Sequence, residues 1–420
     1  MKEVVFESLY EIPSRNGVTK PRGIRGNGYK MINMGELFAY GRINNPDMDL
    51  VPLTLKELEN FQVKEGDLLF ARQSLIASGA GKCSIVIKCP EITVFESHII
   101  RVRLNKEKCN PLFYYYYFSS PIGIEKTQSL VSQVAAAGIR GSELSKLMVH
   151  YFEKEKQDKI AKILSNYDDL IENNNKRIKI LEEMTQKIYK EWFVDFKYPG
   201  HETATFKDTE LGKIPSDWHI GFIKELNDVY GGYAFKSSTL KKNGKFGVIK
   251  IKNIQEGNID LSTYQCVDIS PIDKYKKFKL SVNDILVALT GAQVGKVGRM
   301  PYSKQDFYLN QRVGKFVPNK DFIQNNRYML TFVNSNKFLT QVQNIASGAA
   351  QPNISTFQIE NIKMLIASSD IIALFEEKVD SLDKEINLLN IKNMCLKKTR
   401  DILLPRLVSG EIDVEGMEIA

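Results

Sequence analysis

The sequence predicts an α+β fold. Two similar mixed α/β domains stand in tandem, separated by two long helices packed as an antiparallel coiled coil, with a pseudo-twofold internal repeat. Three observations predict it: self-similarity at about 215 residues, alternating β-branched and aromatic residues in the front of each copy, and heptads in the back of each.

The repeat is the primary signal. Gly66-Asp67-Leu68-Leu69-Phe70-Ala71 recurs as Asn283-Asp284-Ile285-Leu286-Val287-Ala288, and Met31-Ile32-Asn33-Met34 as Val248-Ile249-Lys250-Ile251. Both copies carry a Gly-X-Ile, in Gly41-Arg42-Ile43 and Gly257-Asn258-Ile259. Ile139, Leu144 and Leu147 answer to Ile354, Ile359 and Ile362, and Phe193-Val194 to Leu407-Val408. A single match has little weight, but this many in order at a nearly constant offset indicate duplication. The boundaries read as a first domain over 1–150, a first helix over 151–197, a second domain over 198–365, and a second helix with a tail over 366–420.

In the front parts, Cys83-Ser84-Ile85-Val86-Ile87-Lys88 and Phe246-Gly247-Val248-Ile249-Lys250-Ile251 read as strands. Each front part closes on a polar, glycine-containing stretch, residues 137–142 and 347–353, with a helix expected after it. The aromatic run Phe113-Tyr114-Tyr115-Tyr116-Tyr117-Phe118 reads as core packing rather than a base-stacking platform. Trp192, Phe193 and Phe196 read as seam or domain packing, with a docking surface as the other reading.

In the back parts, Ile160, Leu164, Tyr167, Ile171, Asn174, Ile178, Leu181, Thr185, Ile188 and Trp192 keep an alternating 4,3 spacing. Phe375, Val379, Leu382, Ile386, Leu389, Asn393, Leu396, Arg400 and Leu403 do the same. Amphipathic bundle helices share part of this pattern, but a 3.5-residue period held over about four heptads favours a coiled-coil seam. A buried Asn wants a polar partner, so Asn174 is expected to meet Asn393. That antiparallel register pairs Leu164 with Leu403, Ile171 with Leu396, Ile178 with Leu389, Leu181 with Ile386, Ile188 with Val379 and Trp192 with Phe375.

Composition narrows the function. The 420 residues suffice for two or three domains with real cores, and the net charge of +8 is compatible with a polyanionic partner without requiring one. No run approaches the ~18 apolar residues of a membrane span, and the first residues do not read as a signal peptide, so a cytoplasmic location is expected. Cys83, Cys89, Cys109, Cys266 and Cys395 form no CxxC pair, and the four histidines no HExxH, so no metal site is expected. Ser78-Gly79-Ala80-Gly81-Lys82 lacks the earlier glycine of a phosphate loop, where Ile76 stands, and the following hydroxyl, where Cys83 stands. Neither a GxSxG elbow nor a dinucleotide fingerprint is present, nor the Asn/Asp-Pro-Pro-Tyr segment of adenine methyltransferases. No catalytic residue is assigned.

A helix of about 35 residues is roughly 50 Å long, and B-DNA repeats every ~34–36 Å. Two unlike domains held by such a rod would read a bipartite, non-palindromic duplex site. At this point the chain resembles the specificity subunits of type I DNA restriction-modification systems, over its whole length. The resemblance rests on Gly28-Tyr29-Lys30-Met31-Ile32 and Phe246-Gly247-Val248-Ile249-Lys250-Ile251-Lys252-Asn253-Ile254, on the repeated Gly/Asn-Asp-Leu/Ile-Leu segments, and on Gly348-Ala349-Ala350-Gln351-Pro352-Asn353-Ile354-Ser355. Glu191-Trp192-Phe193-Val194-Asp195-Phe196 and Arg406-Leu407-Val408-Ser409-Gly410-Glu411-Ile412 look like the ends of that family's spacer helices. The chain departs from the family in having no proline between Leu147 and Gln157 or between Met364 and Phe375.

The resemblance implies two target-recognition domains and no catalysis by this chain. It implies double-stranded DNA as ligand, with two modification subunits that methylate adenine using S-adenosylmethionine and an ATP- and magnesium-dependent restriction subunit as partners. No cofactor is expected in this chain. A two-lobed scaffold or regulator gripping a non-DNA partner is the alternative.

Phosphate contacts need Lys, Arg or small polar donors, and base readout favours Arg, Asn and Gln. In the first domain the candidates are Lys20, Arg22, Arg25, Asn27, Lys30, Arg72, Gln73, Lys82 and Arg140. In the second they are Lys236, Ser237, Lys250, Lys252, Asn253, Gln293, Lys296, Arg299, Gln311, Arg312 and Gln351. Arg72 and Gln73 stand out, because the second copy has Leu289-Thr290 after the matching strand. Two different half-sites require unlike residues at equivalent loops.

Overall fold

The computed structural model describes residues 2–74, 77–132, 137–210, 212–255, 257–269, 272–319, 326–346 and 352–417. The chain divides into two compact units, Met1–Glu172 with Met394–Ala420, and Asn173–Asn393.

In the first unit a five-stranded sheet runs in the order Tyr10–Asn16, Ile99–Leu104, Leu68–Ala71, Cys83–Lys88, Arg42–Asn44. Neighbours are antiparallel until the last pair, which is parallel. A three-stranded sheet has Tyr29–Ile32 between Asp49–Val51, antiparallel, and Thr93–Phe95, parallel. Lys2–Val5 pairs antiparallel with Met148–Tyr151. The second unit repeats each arrangement. Its five-stranded sheet is Asn227–Gly231, Val313–Pro318, Ile285–Ala288, Val297–Arg299, Gly257–Asn258, again antiparallel until a parallel last pair. Phe246–Ile249 lies between Gln265–Val267 and Phe307–Leu309, and His219–Phe222 pairs with Lys363–Ile366. The duplication read from short sequence matches is therefore a duplication of topology, strand by strand.

Single backbone bonds fix the correspondence between the copies. Phe6 N–H donates to Leu147 O at 2.8 Å, as Ile223 N–H does to Ile362 O at 3.1 Å. Gly17 N–H donates to Ile99 O at 3.2 Å, as Gly232 N–H does to Val313 O at 3.2 Å. At both glycines the backbone passes so close that a Cβ would run into carbonyl oxygens, of Phe95 and Glu96 in one unit and of Leu309 and Asn310 in the other. Cys83–Lys88 is a strand as expected, but the other expected strand stops at Ile249 and continues as a short 3-10 turn, Ile251–Asn253. The Asn253 side chain accepts the Lys250 N–H at 3.0 Å and so turns the chain. The expected helices after the two polar stretches are single short turns, Gly141–Leu144 and Thr356–Glu360.

The aromatic run forms the helix Pro111–Ser119, started by Asn110, whose side chain accepts the N–H groups of Leu112 and Phe113, with proline in the first turn. Its buried rings fill the first core: Phe6 packs on Phe118 at 4.9 Å, and Phe118 on Phe70 at 5.1 Å. Ile160 and Leu164 close the same core together with Leu404, Leu407 and Val408. In the second unit Trp192 and Phe193 are buried against Phe375, at 6.0 and 5.2 Å. They are packing residues, and the docking reading of these two rings is set aside. Phe196 packs on the edge of that core, 5.8 Å from Trp218.

The long helices are Lys154–Phe193 and Ser369–Val408, 40 residues each rather than about 35. The first starts at Lys154, just after the expected boundary, with Gln157 buried in its opening turn, accepting the Asn110 N–H at 2.8 Å and donating to Phe152 O at 2.7 Å. The second stops before Gly410, whose φ of 75° is a left-handed helix-ending geometry. Every heptad position from Ile160 to Trp192 and from Phe375 to Leu403 is buried or half-buried, including Leu164, Ile171, Ile178, Leu181, Ile188, Val379, Leu382, Ile386, Leu389, Leu396 and Leu403. The helices run antiparallel in each unit. In the second, Asn174 Nδ2 donates to Asn393 Oδ1 at 2.9 Å. In the first, Arg400 pairs with Asp168, and Lys156 with Asp413 at 2.8 Å.

In each unit a buried carboxylate on a long helix ties that helix to its neighbours. Asp168 and Asp383 fall at matching places in the two repeats. Asp168 accepts Arg400 and the Tyr116 hydroxyl, the latter at 2.7 Å. Asp383 accepts Arg299 through both guanidinium arms and lies 3.2 Å from Arg327 Nε. Beside it, Glu376 Oε1 accepts the Tyr328 N–H at 2.8 Å, and burial pushes the Glu376 carboxyl up to about 7. Among the described residues no helix is long and apolar enough to cross a membrane.

Candidate nucleic-acid interface

In the first unit, strand Tyr10–Asn16 ends on Ser14-Arg15-Asn16, strand Leu68–Ala71 is followed by Arg72, and the ribbon Ala137–Gly138 leads into Arg140. Ile139 N–H donates to Arg72 O at 2.9 Å, which brings the last two loops side by side. The result is an open cleft of about 390 Å³ lined by Ser14, Arg15, Asn16, Arg72, Arg140, Gly141 and Ser142. No carboxylate is among the lining residues. The Arg15 guanidinium bonds the neutral Asn60 side chain and lies 5.8 Å from the Phe61 ring centroid. Arg72 Nη1 donates to Ser97 O at 3.3 Å, and Arg140 is exposed. Among the described residues Arg15, Arg72 and Arg140 make no ion pair, so their like charges repel one another, and an anion entering the cleft relieves that repulsion.

The matching place in the second unit has the same backbone and different chemistry. Ile354 N–H donates to Leu289 O at 2.9 Å, repeating the bond from Ile139 to Arg72. Tyr230 stands for Arg15, Gly231 for Asn16, Leu289 for Arg72, Ser355 for Arg140 and Phe357 for Ser142. Tyr230 is 54% and Phe357 67% exposed, and Leu289 is buried.

The other candidates divide by what already holds them. Arg22, Asn27, Lys236, Ser237, Lys252, Gln311 and Arg312 are exposed, and Gln293 and Lys296 half-exposed. Lys20 is paired with Glu57 at 2.9 Å, Arg25 with Asp49 at 2.7 Å and Lys30 with Glu91 at 3.0 Å. Lys82 Nζ donates to Phe38 O at 2.8 Å, and burial lowers its pKa. Gln73 belongs to the ribbon paired with Ala137–Gly138. Lys250 bonds Gln265, and burial, with Lys252 adding like charge, lowers its pKa.

Two candidates are corrected. Asn253 is buried, with its amide donating to Asp260 O and Thr263 O at 3.0 and 2.7 Å, so it shapes its loop and faces no ligand. Arg299 is committed to Asp383 and holds the sheet to the long helix. Gln351 lies outside the described residues. Arg15 was missed by sequence reasoning, since its alternating strand gives no reason to prefer it. The only signal was its place beside Asn16-Gly17, where the strand breaks off.

The chain matches the family of type I restriction modification DNA specificity domains twice, over residues 11–183 and 215–393, and it belongs to that family. It is 26% identical over 370 residues to the type I restriction enzyme MjaVIII specificity subunit of Methanocaldococcus jannaschii, covering 87% of this chain and 83% of that one. It is 22% identical over 409 residues to the HindI specificity subunit of Haemophilus influenzae, covering 83% and 87%. Its fold is similar to the crystal structure of the type I restriction-modification S subunit from M. genitalium, with a TM-score of 0.53 at 17% identity over 97% of this chain and 95% of that one.

Proposed function

We propose that this chain is the DNA-reading subunit of a type I restriction-modification complex and performs no chemistry itself. Each unit reads one half of a bipartite, asymmetric duplex site. The observation that carries this reading is the use of one backbone twice with unlike side chains at matching loop positions, Arg15, Arg72 and Arg140 against Tyr230, Leu289 and Ser355. Identical readers would require a repeated half-site, and unlike ones require a split, non-palindromic site. Adenine methylation demands a flipped base and a cofactor pocket. Those functions belong to two modification subunits holding S-adenosylmethionine, and cleavage to restriction subunits holding ATP and magnesium. A cytoplasmic location follows from work on host DNA.

Single-molecule methylation sequencing of the host tests the proposal. A split motif modified on both strands, lost when this gene is deleted and restored by its return, is the expected result. Methylation unaltered by the deletion would favour a scaffold with another partner.

A further inference from the structure

The two units divide the work of binding, and this inference rests on the DNA reading just given. We propose that the Arg15–Arg72–Arg140 cleft of the first unit is a clamp for backbone phosphates, and that the corresponding surface of the second unit makes no phosphate contact. At this matched position, then, salt-dependent affinity comes from the first unit, and the second offers uncharged side chains.

The bonds from Ile139 to Arg72 O and from Ile354 to Leu289 O place the same loops together in both units. In the first unit these loops present three guanidinium groups, two serines and Asn16, all donors suited to phosphate oxygens, with no carboxylate among the lining residues. Arg15 and Arg72 are held by neutral partners, Asn60 and the Ser97 carbonyl, which orient them without neutralising them. In the second unit the same positions carry an exposed tyrosine, a glycine, a buried leucine, a helix-capping serine and an exposed phenylalanine. The Ser355 hydroxyl is already used, accepting the Gln358 N–H at 3.1 Å.

Each phosphate neutralised by a protein cation contributes about 0.9 to the slope of log affinity against log salt. The test uses the full chain with duplexes that do and do not contain the host motif, between 50 and 200 mM salt. Replacing Arg15, Arg72 and Arg140 together by Ala should lower the slope by roughly 2–3 on both duplexes. Arg140→Ala alone, at a side chain with no hydrogen bond or ion pair among the described residues, should lower it by about 0.9 and keeps the test valid if the triple variant folds poorly. The triple Arg→Lys variant should keep most of the slope. Tyr230→Ala with Phe357→Ala should leave it unchanged.

Wild-type protein that binds duplex with a slope indifferent to Arg140→Ala and to the triple change overturns the division of labour and leaves the DNA reading intact. Wild-type protein that binds no duplex overturns the DNA reading itself. Titration with inorganic pyrophosphate separates the two sources of phosphate. Saturable binding lost in Arg140→Ala, with the duplex slope unmoved, would make the cleft a site for a free phosphoanion and overturn the clamp.

Discussion

Asn174 and Asn393 face each other across the two long helices of the second unit, Nδ2 of the first donating to Oδ1 of the second at 2.9 Å. Asn393 passes the contact on, donating to Asn175 Oδ1 at 2.9 Å. Both paired residues are at least nine-tenths buried, with the apolar Ile171, Ile178, Leu389 and Leu396 one heptad step away on either side. Any slip of one helix along the other would leave these amides facing hydrocarbon, so the pair fixes the register at some cost in stability.

That trade is measurable. Asn174→Leu alone leaves the Asn393 carbonyl without its donor and should cost about 1–3 kcal/mol. The double change Asn174→Leu with Asn393→Leu should recover that loss or exceed it. Thermal unfolding of the three proteins checks the order. A double variant less stable than the single one would count against the register role.

Asp168 predicts a larger effect. It is buried and accepts the Tyr116 hydroxyl and Arg400. Arg400→Met strips a buried carboxylate of its cation and should cost about 2–4 kcal/mol, below the figure for a fully enclosed pair because Arg400 keeps part of its surface in water. Arg177, exposed beside Glu385 at 2.7 Å, should cost under about 0.5 kcal/mol when changed to Ala. Urea unfolding of both variants gives the contrast.

Glu376 predicts a pH dependence. Burial raises its carboxyl to about 7, above the ordinary 4.5. Between those values the folded chain holds a proton that the unfolded chain has released. This group's contribution to stability is therefore fully present below about pH 4.5, falls as pH rises, and levels off above about 7. Glu376→Gln keeps an oxygen to accept the Tyr328 N–H, and Arg327 retains Asp380 at 2.6 Å. The variant should be more stable than the parent at pH 8, with the difference closing toward pH 5. Chemical unfolding at several pH values reads this directly, and a constant difference across the range would remove Glu376 as its source.

Gly17 and Gly232 make a paired prediction. Each sits where a Cβ would strike carbonyl oxygens of an adjacent backbone segment. Gly17→Ala and Gly232→Ala should each destabilise their unit by more than about 2 kcal/mol, whereas Gly23→Ala, in open space, should change little. Differential scanning calorimetry of the three variants tests the correspondence between the units as well as the packing.

Much of the architecture was legible because it is periodic. The heptads marked the long helices, and the polar interruption at Asn174 and Asn393 set their register. The matched Asp-Leu-Leu and Asp-Ile-Leu segments located the central strands, Leu68–Ala71 and Ile285–Ala288. The candidate site was legible only in part. Arg72 and Arg140 flank recognisable segments, but Arg15 joins them through pairing of Tyr10–Asn16 with Ile99–Leu104, a contact no local pattern reports. Asn253 and Arg299 looked like surface readers because residue type and loop position do not reveal a partner distant in sequence. Asn253 folds back on Asp260 and Thr263, and Arg299 finds Asp383 on the second long helix.

The first unit is discontinuous, joining Met1–Glu172 to Met394–Ala420, whereas the second is one uninterrupted stretch, Asn173–Asn393. A ribosome therefore releases everything the downstream lobe needs while the upstream lobe still lacks Leu404, Leu407 and Val408 from its core and Arg400 from Asp168. The lobe made first is completed last. Its unfinished core waits through some 220 residues of translation, which is the interval in which this polypeptide is most exposed to aggregation and to proteases.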